Sequence, residues 1–92
     1  DFIMALDATN LTPLSTGNGF TLWHYTTTDA VATVRAANYF LAEVARMNKG
    51  DLIICNSSMG GTMVVSLNQV LTQSATAIDV ADGTVLANTD SD

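Results

Sequence analysis

Charge, cysteine and proline are all scarce in this sequence. Charged residues fill 13% of its 92 positions, about half the usual share, and only Arg35, Arg46 and Lys49 are basic. Nine acidic groups leave a formal net charge of −6. Binding to nucleic acid is therefore excluded as an expectation, because contact with phosphates needs many more cations. The single Cys55 permits no disulfide within the chain, so the fold is not a disulfide-stapled miniprotein. One histidine and one cysteine do not make the usual four-ligand zinc site, and no cofactor or metal is expected. No run approaches the roughly 20 apolar residues of a membrane span, so no membrane partner is expected. The chain begins with Asp1, which reads as a processed or truncated start.

What is present is apolar and β-branched. Hydrophobic residues make up 48% of the chain, which argues against disorder, and Thr, Asn and Ser supply the polar surface. The length predicts one domain with one small core. Residues 1–19 mix Phe2, Ile3, Met4, Leu11 and Leu14 with turn formers and show no sustained period. They read as an irregular arm lying on a partner, with an ordinary first strand over Phe2–Ala5 as the alternative. From Phe20 to Thr28 an aromatic, β-branched pattern gives the strongest strand signal, with Thr21, Trp23 and Tyr25 on one face and Leu22, His24 and Thr26 on the other.

Asp29 is placed to cap a short helix through Ala36, and Phe40, Leu41, Val44 and Met47 at helical spacing predict a second over 38–47. Gly50 suits a left-handed helix end, and the apolar run after Asp51 reads as a buried central strand. A turn at Ser57–Gly61, strands over 62–70 and 72–80, and a tight turn at Asp82–Gly83 complete the domain over 20–88, with 89–92 as a flexible acidic tail. The fold class expected is α+β, mainly antiparallel β, a small single-domain sandwich or barrel with one or two short helices.

Few residues suggest chemistry. His24 lacks a sequence-evident nucleophile or orienting carboxylate, and a hydrolase pairing it with Ser57 or Ser58 is the weakest reading of the chain. Asp79, Asp82 and Gly83 have part of a calcium-loop pattern but lack its closing Glu, so a turn is expected there. Cys55 reads as a small buried hydrophobe. Asn10-Leu-Thr12 and Asn56-Ser-Ser58 match the glycosylation triplet, a pattern that arises by chance in Thr- and Asn-rich chains. Trp23, Tyr25 and Tyr39 are candidates for a sugar-stacking platform, with the hydrophobic core as their alternative role. The sequence predicts no enzyme.

The stretch from Leu22 to Asp29 (Leu-Trp-His-Tyr-Thr-Thr-Thr-Asp), followed by Asn38-Tyr-Phe40 and Lys49-Gly-Asp-Leu-Ile53, resembles small structural proteins of tailed bacteriophages, described as head fibre, head decoration or capsid cement proteins. The resemblance covers the central third to half of the chain. It implies a non-enzymatic virion component on the outer surface of the capsid, bound to the major capsid protein and itself homo-oligomeric, with a trimer favoured. The family brings no catalytic residues. The alternative function is a receptor- or glycan-binding fibre module using Trp23, Tyr25 and Tyr39. Partner contact is assigned to Phe2, Ile3, Met4, Leu11 and Leu14.

Overall fold

A computed structural model describes Leu6 and residues 8–87. It is mostly β, with few and short helices. A 3-10 helix over Ala8–Asn10 leads into strands β1 (Leu11–Gly17) and β2 (Phe20–Thr26). Helix α1 (Val31–Val34) and a kinked 3-10 helix over Leu41–Arg46 follow. The chain then forms β3 (Leu52–Ser57), β4 (Val64–Ser74), β5 (Ala77–Val80) and β6 (Thr84–Val85). The strands make one six-stranded sheet in the order β1-β2-β3-β4-β5, with β6 also paired to β4.

This sheet is single and open, so the described strands form neither the sandwich nor the barrel expected. Its edges are β1 on one side and β5 with β6 on the other. It is also mixed. The β2–β3 pair is parallel, aligning Trp23 with Ile53 and Tyr25 with Cys55, while the other pairings are antiparallel. Parallel neighbours need a long crossover. Residues 27–51 provide it, and they carry both helical segments onto one face. That single topological step makes the two faces of the sheet unlike.

The core lies under the crossover. Trp23 and Tyr25 of β2, Ile53 and Cys55 of β3, and Val70 of β4 meet Val34, Tyr39, Phe40 and Met47 from the crossover and Ile78 and Val80 from β5. The alternation read from the sequence of β2 is the one observed, with Thr21, Trp23 and Tyr25 inward. Tyr25, Tyr39 and Phe40 pack edge to face, with ring centroids 5.1–6.0 Å apart.

Several local expectations are corrected. Residues 11–17 are not part of an irregular arm. They form edge strand β1, paired with β2 through a bulge between Pro13 and Ser15. An edge tolerates Pro13, whose missing N–H costs no ladder bond on the solvent side. Phe2, Ile3, Met4 and the Phe2–Ala5 strand lie outside the described residues, as does the tail at 89–92. Asp29 does not cap α1. Ala30 occupies that position, and the Asp29 carboxylate instead accepts from Tyr39. The segment expected as a second helix over 38–47 is a 3-10 helix six residues long, because Asn38 turns into the left-handed region at φ 66° and pairs with β5. Its N–H donates to the Ile78 carbonyl at 2.7 Å, and its side-chain oxygen accepts from the Ile78 N–H at 2.9 Å. Asn tolerates that backbone better than most residues. Strand β4 runs on to Ser74, so the turn falls at Ala75–Thr76 and the strand expected over 72–80 is divided between β4 and β5. Gly50 and Gly83 do take positive φ, 94° and 84°. The Gly83 turn joins two strands that both pair with β4, and so it closes no hairpin.

Candidate binding surface

Among the described residues, no buried side-chain nitrogen or oxygen lacks a hydrogen-bond partner. Asp51, fully buried before β3, accepts three hydrogen bonds. Its Oδ1 takes the Thr21 N–H at 3.0 Å, and its Oδ2 takes the Trp23 indole N–H at 3.0 Å and the Asn48 N–H at 2.9 Å. One carboxylate thus fixes the start of β2, the indole of its middle and the turn that enters β3. The Arg46 guanidinium, 5.1 Å from the Trp23 ring centre, covers the other side of that indole and pairs with Glu43 at 2.8 Å.

A second chain of bonds links the crossover to β2. The Tyr39 hydroxyl donates to Asp29 Oδ2 at 2.6 Å, which leaves its oxygen to accept from Tyr25 at 2.8 Å. Burial and the bond to Asp29 push the Tyr39 pKa above the usual tyrosine range. Burial alone raises the Cys55 thiol to about 11, so it is a neutral, packed group at physiological pH. Farther along, Ser66 Oγ donates to Asn68, whose amide donates to the Ala81 carbonyl and anchors the turn into β6.

These facts remove the sugar-stacking platform. Trp23, Tyr25 and Tyr39 are all core residues, with no ring face turned to solvent for a carbohydrate. The pairing of His24 with Ser57 fails on geometry. His24 alternates to the open side of β2, whereas Ser57 is buried on the covered side and donates to the Val64 carbonyl. Asp82 is exposed and lies 3.7 Å from Arg35, and among the described residues no three His, Cys, Asp or Glu side chains gather as metal ligands. No described helix is long and apolar enough to cross a membrane.

The opposite face of the sheet is the surface left available. Alternation and register place Leu22 of β2, Leu52 and Ile54 of β3, and Val65 and Leu67 of β4 on it. Leu86, whose N–H donates to the Val65 carbonyl just after β6, extends the row. Leu67 is 41% exposed and Leu86 53%, while the others are half-buried by their neighbours within the sheet. His24, Thr26, Asn56 and Gln69 are interspersed among them. Where the β5–β6 turn crosses the edge, Leu52, Leu67, Gln69, Ala81, Gly83 and Thr84 line a groove of about 340 Å³. Among the described residues, no carboxylate lies in the apolar row. Asp79 and Asp82 stand at its rim, on β5 and on the turn that follows.

Of the residues assigned to partner contact, Leu11 is a core residue, and Leu14 is 53% exposed at the β1 bulge. The open face was missed because the run Leu52–Cys55 reads as buried on both sides. The signal that points to it is the alternation in Val65, Leu67 and Gln69 opposite an equally apolar Leu52 and Ile54. No protein-family model, curated protein or solved structure matches this chain.

Proposed function

We propose that this protein is a non-enzymatic structural component of a tailed-bacteriophage head, a decoration or cement protein that binds the major capsid protein on the outside of the shell and acts as a homo-oligomer. The observation that carries this reading is the aliphatic row on the open face of the sheet, formed by Leu22, Leu52, Ile54, Val65, Leu67 and Leu86. Leu67 and Leu86 stand exposed in it, and clustered exposed apolar side chains mark a place where protein meets protein. The edge strand adds a second apolar contact through Leu14, which projects from the bulge. The resemblance of the Leu22–Asp29, Asn38–Phe40 and Lys49–Ile53 segments to head decoration and cement proteins supplies the virion context. Many copies on one shell then make modest contacts effective through avidity.

The test is copy number. Quantitative mass spectrometry of purified particles is expected to find the protein in fixed ratio to the shell protein, at hundreds of copies per head. A protein present in infected-cell lysate and missing from washed particles removes the proposal, and a handful of copies per particle moves it from the head to the tail.

A further inference from the structure

We infer that Asn18, at the tip of the β1–β2 hairpin, is a self-modification site: the Gly19 backbone nitrogen displaces ammonia from the Asn18 side chain, and water opens the ring so formed to aspartate or isoaspartate. This inference goes beyond the virion reading and does not depend on it. Of the seven asparagines in the chain, Asn18 alone is followed by glycine. Ring closure needs the nitrogen of the next residue to approach Cγ to about 3 to 3.5 Å, which an unpaired, wet amide does most readily. The Asn18–Gly19 turn meets each condition. Both residues are exposed, and a Cβ built on Gly19 meets nothing within 4 Å. Gly17 pairs with Phe20, which leaves Asn18 and Gly19 outside the ladder, and among the described residues no acceptor takes the Gly19 N–H. The turn is also not the form that fits a hairpin best. Gly19 takes positive φ, 74°, and Asn18 does not, whereas the favoured Asn-Gly turn has both central residues there.

Positions with related chemistry elsewhere are held in place. Asn38 accepts from the Ile78 N–H, and the Tyr39 N–H that follows it donates to the Ala36 carbonyl. Asn68 is buried, with its amide bonded to the Ala81 carbonyl. Asn56 lies inside β3, between β2 and β4. Asp82–Gly83 carries the aspartate form of the same motif, but a Cβ on Gly83 would collide with the Asn68 amide, so that glycine sits in packed surroundings. The step at Asn18 balances without an oxidant. The Gly19 nitrogen gives its proton to water and bonds to Asn18 Cγ, the Cγ–Nδ2 bond breaks, and the departing nitrogen takes up a proton and leaves as ammonia. Water then breaks one of the two ring C–N bonds. Cleavage at Cγ gives aspartate, and cleavage at the main-chain carbonyl gives isoaspartate, in which the backbone runs through Cβ. Either product adds one negative charge to a chain of net charge −6. Isoaspartate also lengthens the two-residue turn by a methylene, which loosens the Gly17–Phe20 pair.

The experiment is incubation of the full chain in mildly alkaline buffer, followed by intact mass, fragment mapping and enzymatic carboxyl methylation of isoaspartate. Exchange of the side-chain amide for a carboxylate raises the mass by about one unit. Asn18 is expected to be modified first, at no less than about a tenth of its rate in the urea-unfolded chain, because an unpaired turn opens at almost no cost. Asn18→Gln, which needs a larger ring, and Gly19→Ala, which sets a Cβ beside the attacking nitrogen, should each slow the gain at this site at least about tenfold. Circular dichroism confirms that each variant remains folded. In the isoaspartate fraction, amide exchange should quicken at Gly17 and Phe20, while the aspartate fraction keeps the wild-type pattern. Another asparagine modified first, a folded rate below a tenth of the unfolded one, or a mass gain unchanged in Asn18→Gln overturns the inference. Exchange unaltered at Phe20 in the isoaspartate fraction overturns the loosening of the turn.

Discussion

The two faces of one sheet show how differently the same alternating sequence is used. Under the crossover, apolar residues are packed against helices, and polar residues are retained only where bonds hold them, as with Asp51, Asn68 and the Tyr25–Tyr39 pair. Among the described residues, no buried side-chain nitrogen or oxygen there lacks a partner. On the other face Leu and Ile alternate with His, Thr, Asn and Gln, and no described element covers them. Strand composition does not produce this difference, since β3 is apolar on both sides. The parallel β2–β3 pairing produces it, because one crossover shields one face only. Stability is thus concentrated on the covered face, and substitutions should separate the two.

The largest effect is expected at Asp51. Asp51→Ala strips the partner from three donors at once, two of them backbone amides and one the buried Trp23 indole. Unmet buried donors together with a cavity predict a loss of about 3 to 5 kcal/mol, enough to unfold a domain this small. Urea denaturation measures it. An Asp51→Ala protein within about 1 kcal/mol of wild type shows that the covered face does not depend on this carboxylate.

Alkaline pH probes the same face more gently. The folded Cys55 thiol titrates near 11, above its ordinary value of 9.0, so the folded state holds its proton more tightly than the unfolded chain does. The contribution is complete below pH 9 and is lost as pH rises through about 11, at a total of about 2 to 3 kcal/mol. The raised Tyr39 hydroxyl acts in the same direction at higher pH. Denaturation midpoints should therefore fall between pH 9 and 11, and Cys55→Ala should flatten that part of the curve. An unchanged slope in the variant assigns the loss elsewhere.

At the join between the faces, Gly83→Ala is expected to cost about 1 to 3 kcal/mol. Its φ of 84° disfavours a side chain, and an added Cβ collides with the Asn68 amide and sits 2.9 Å from the Leu67 carbonyl. Displacing Asn68 releases the turn that carries β6, so amide exchange should quicken first at Thr84 and Val85. Protection unchanged at those two residues rules out this coupling.

Much of the covered face is legible in the sequence. The period of two through β2 sets Trp23 and Tyr25 on one face, and the apolar run after Asp51 gives a central strand, because both patterns are local. Asp51 is not legible as an anchor, since its three donors come from positions 21, 23 and 48 and meet it only after the crossover forms. The parallel pairing escapes for the same reason. Nothing in β2 or β3 alone distinguishes parallel from antiparallel neighbours, and assuming the latter suggests a sandwich or barrel. Leu11 and Leu14 illustrate the limit at one site. Three residues apart on one strand, they fall on opposite faces by alternation, so one is core while the other is exposed at the β1 bulge, and the sequence alone does not tell which face is covered.

The smallest effect on the folding of a single chain belongs to the open face. Leu67→Thr places a β-branched side chain on β4 and removes apolar atoms that are already 41% exposed, so the isolated chain should lose about 1 kcal/mol or less. The same substitution on the covered face, at Ile53, leaves a cavity and a buried hydroxyl and should cost several times more. Measured in dilute solution, where chains are apart, the two variants rank the faces directly. If the proposed homo-oligomer covers this face, the ranking narrows at high concentration, because Leu67→Thr then loses contacts that the dilute chain never had. A Leu67→Thr penalty that is large when dilute and indifferent to concentration shows instead that this face is already packed within one chain, and the contrast between the two sides disappears.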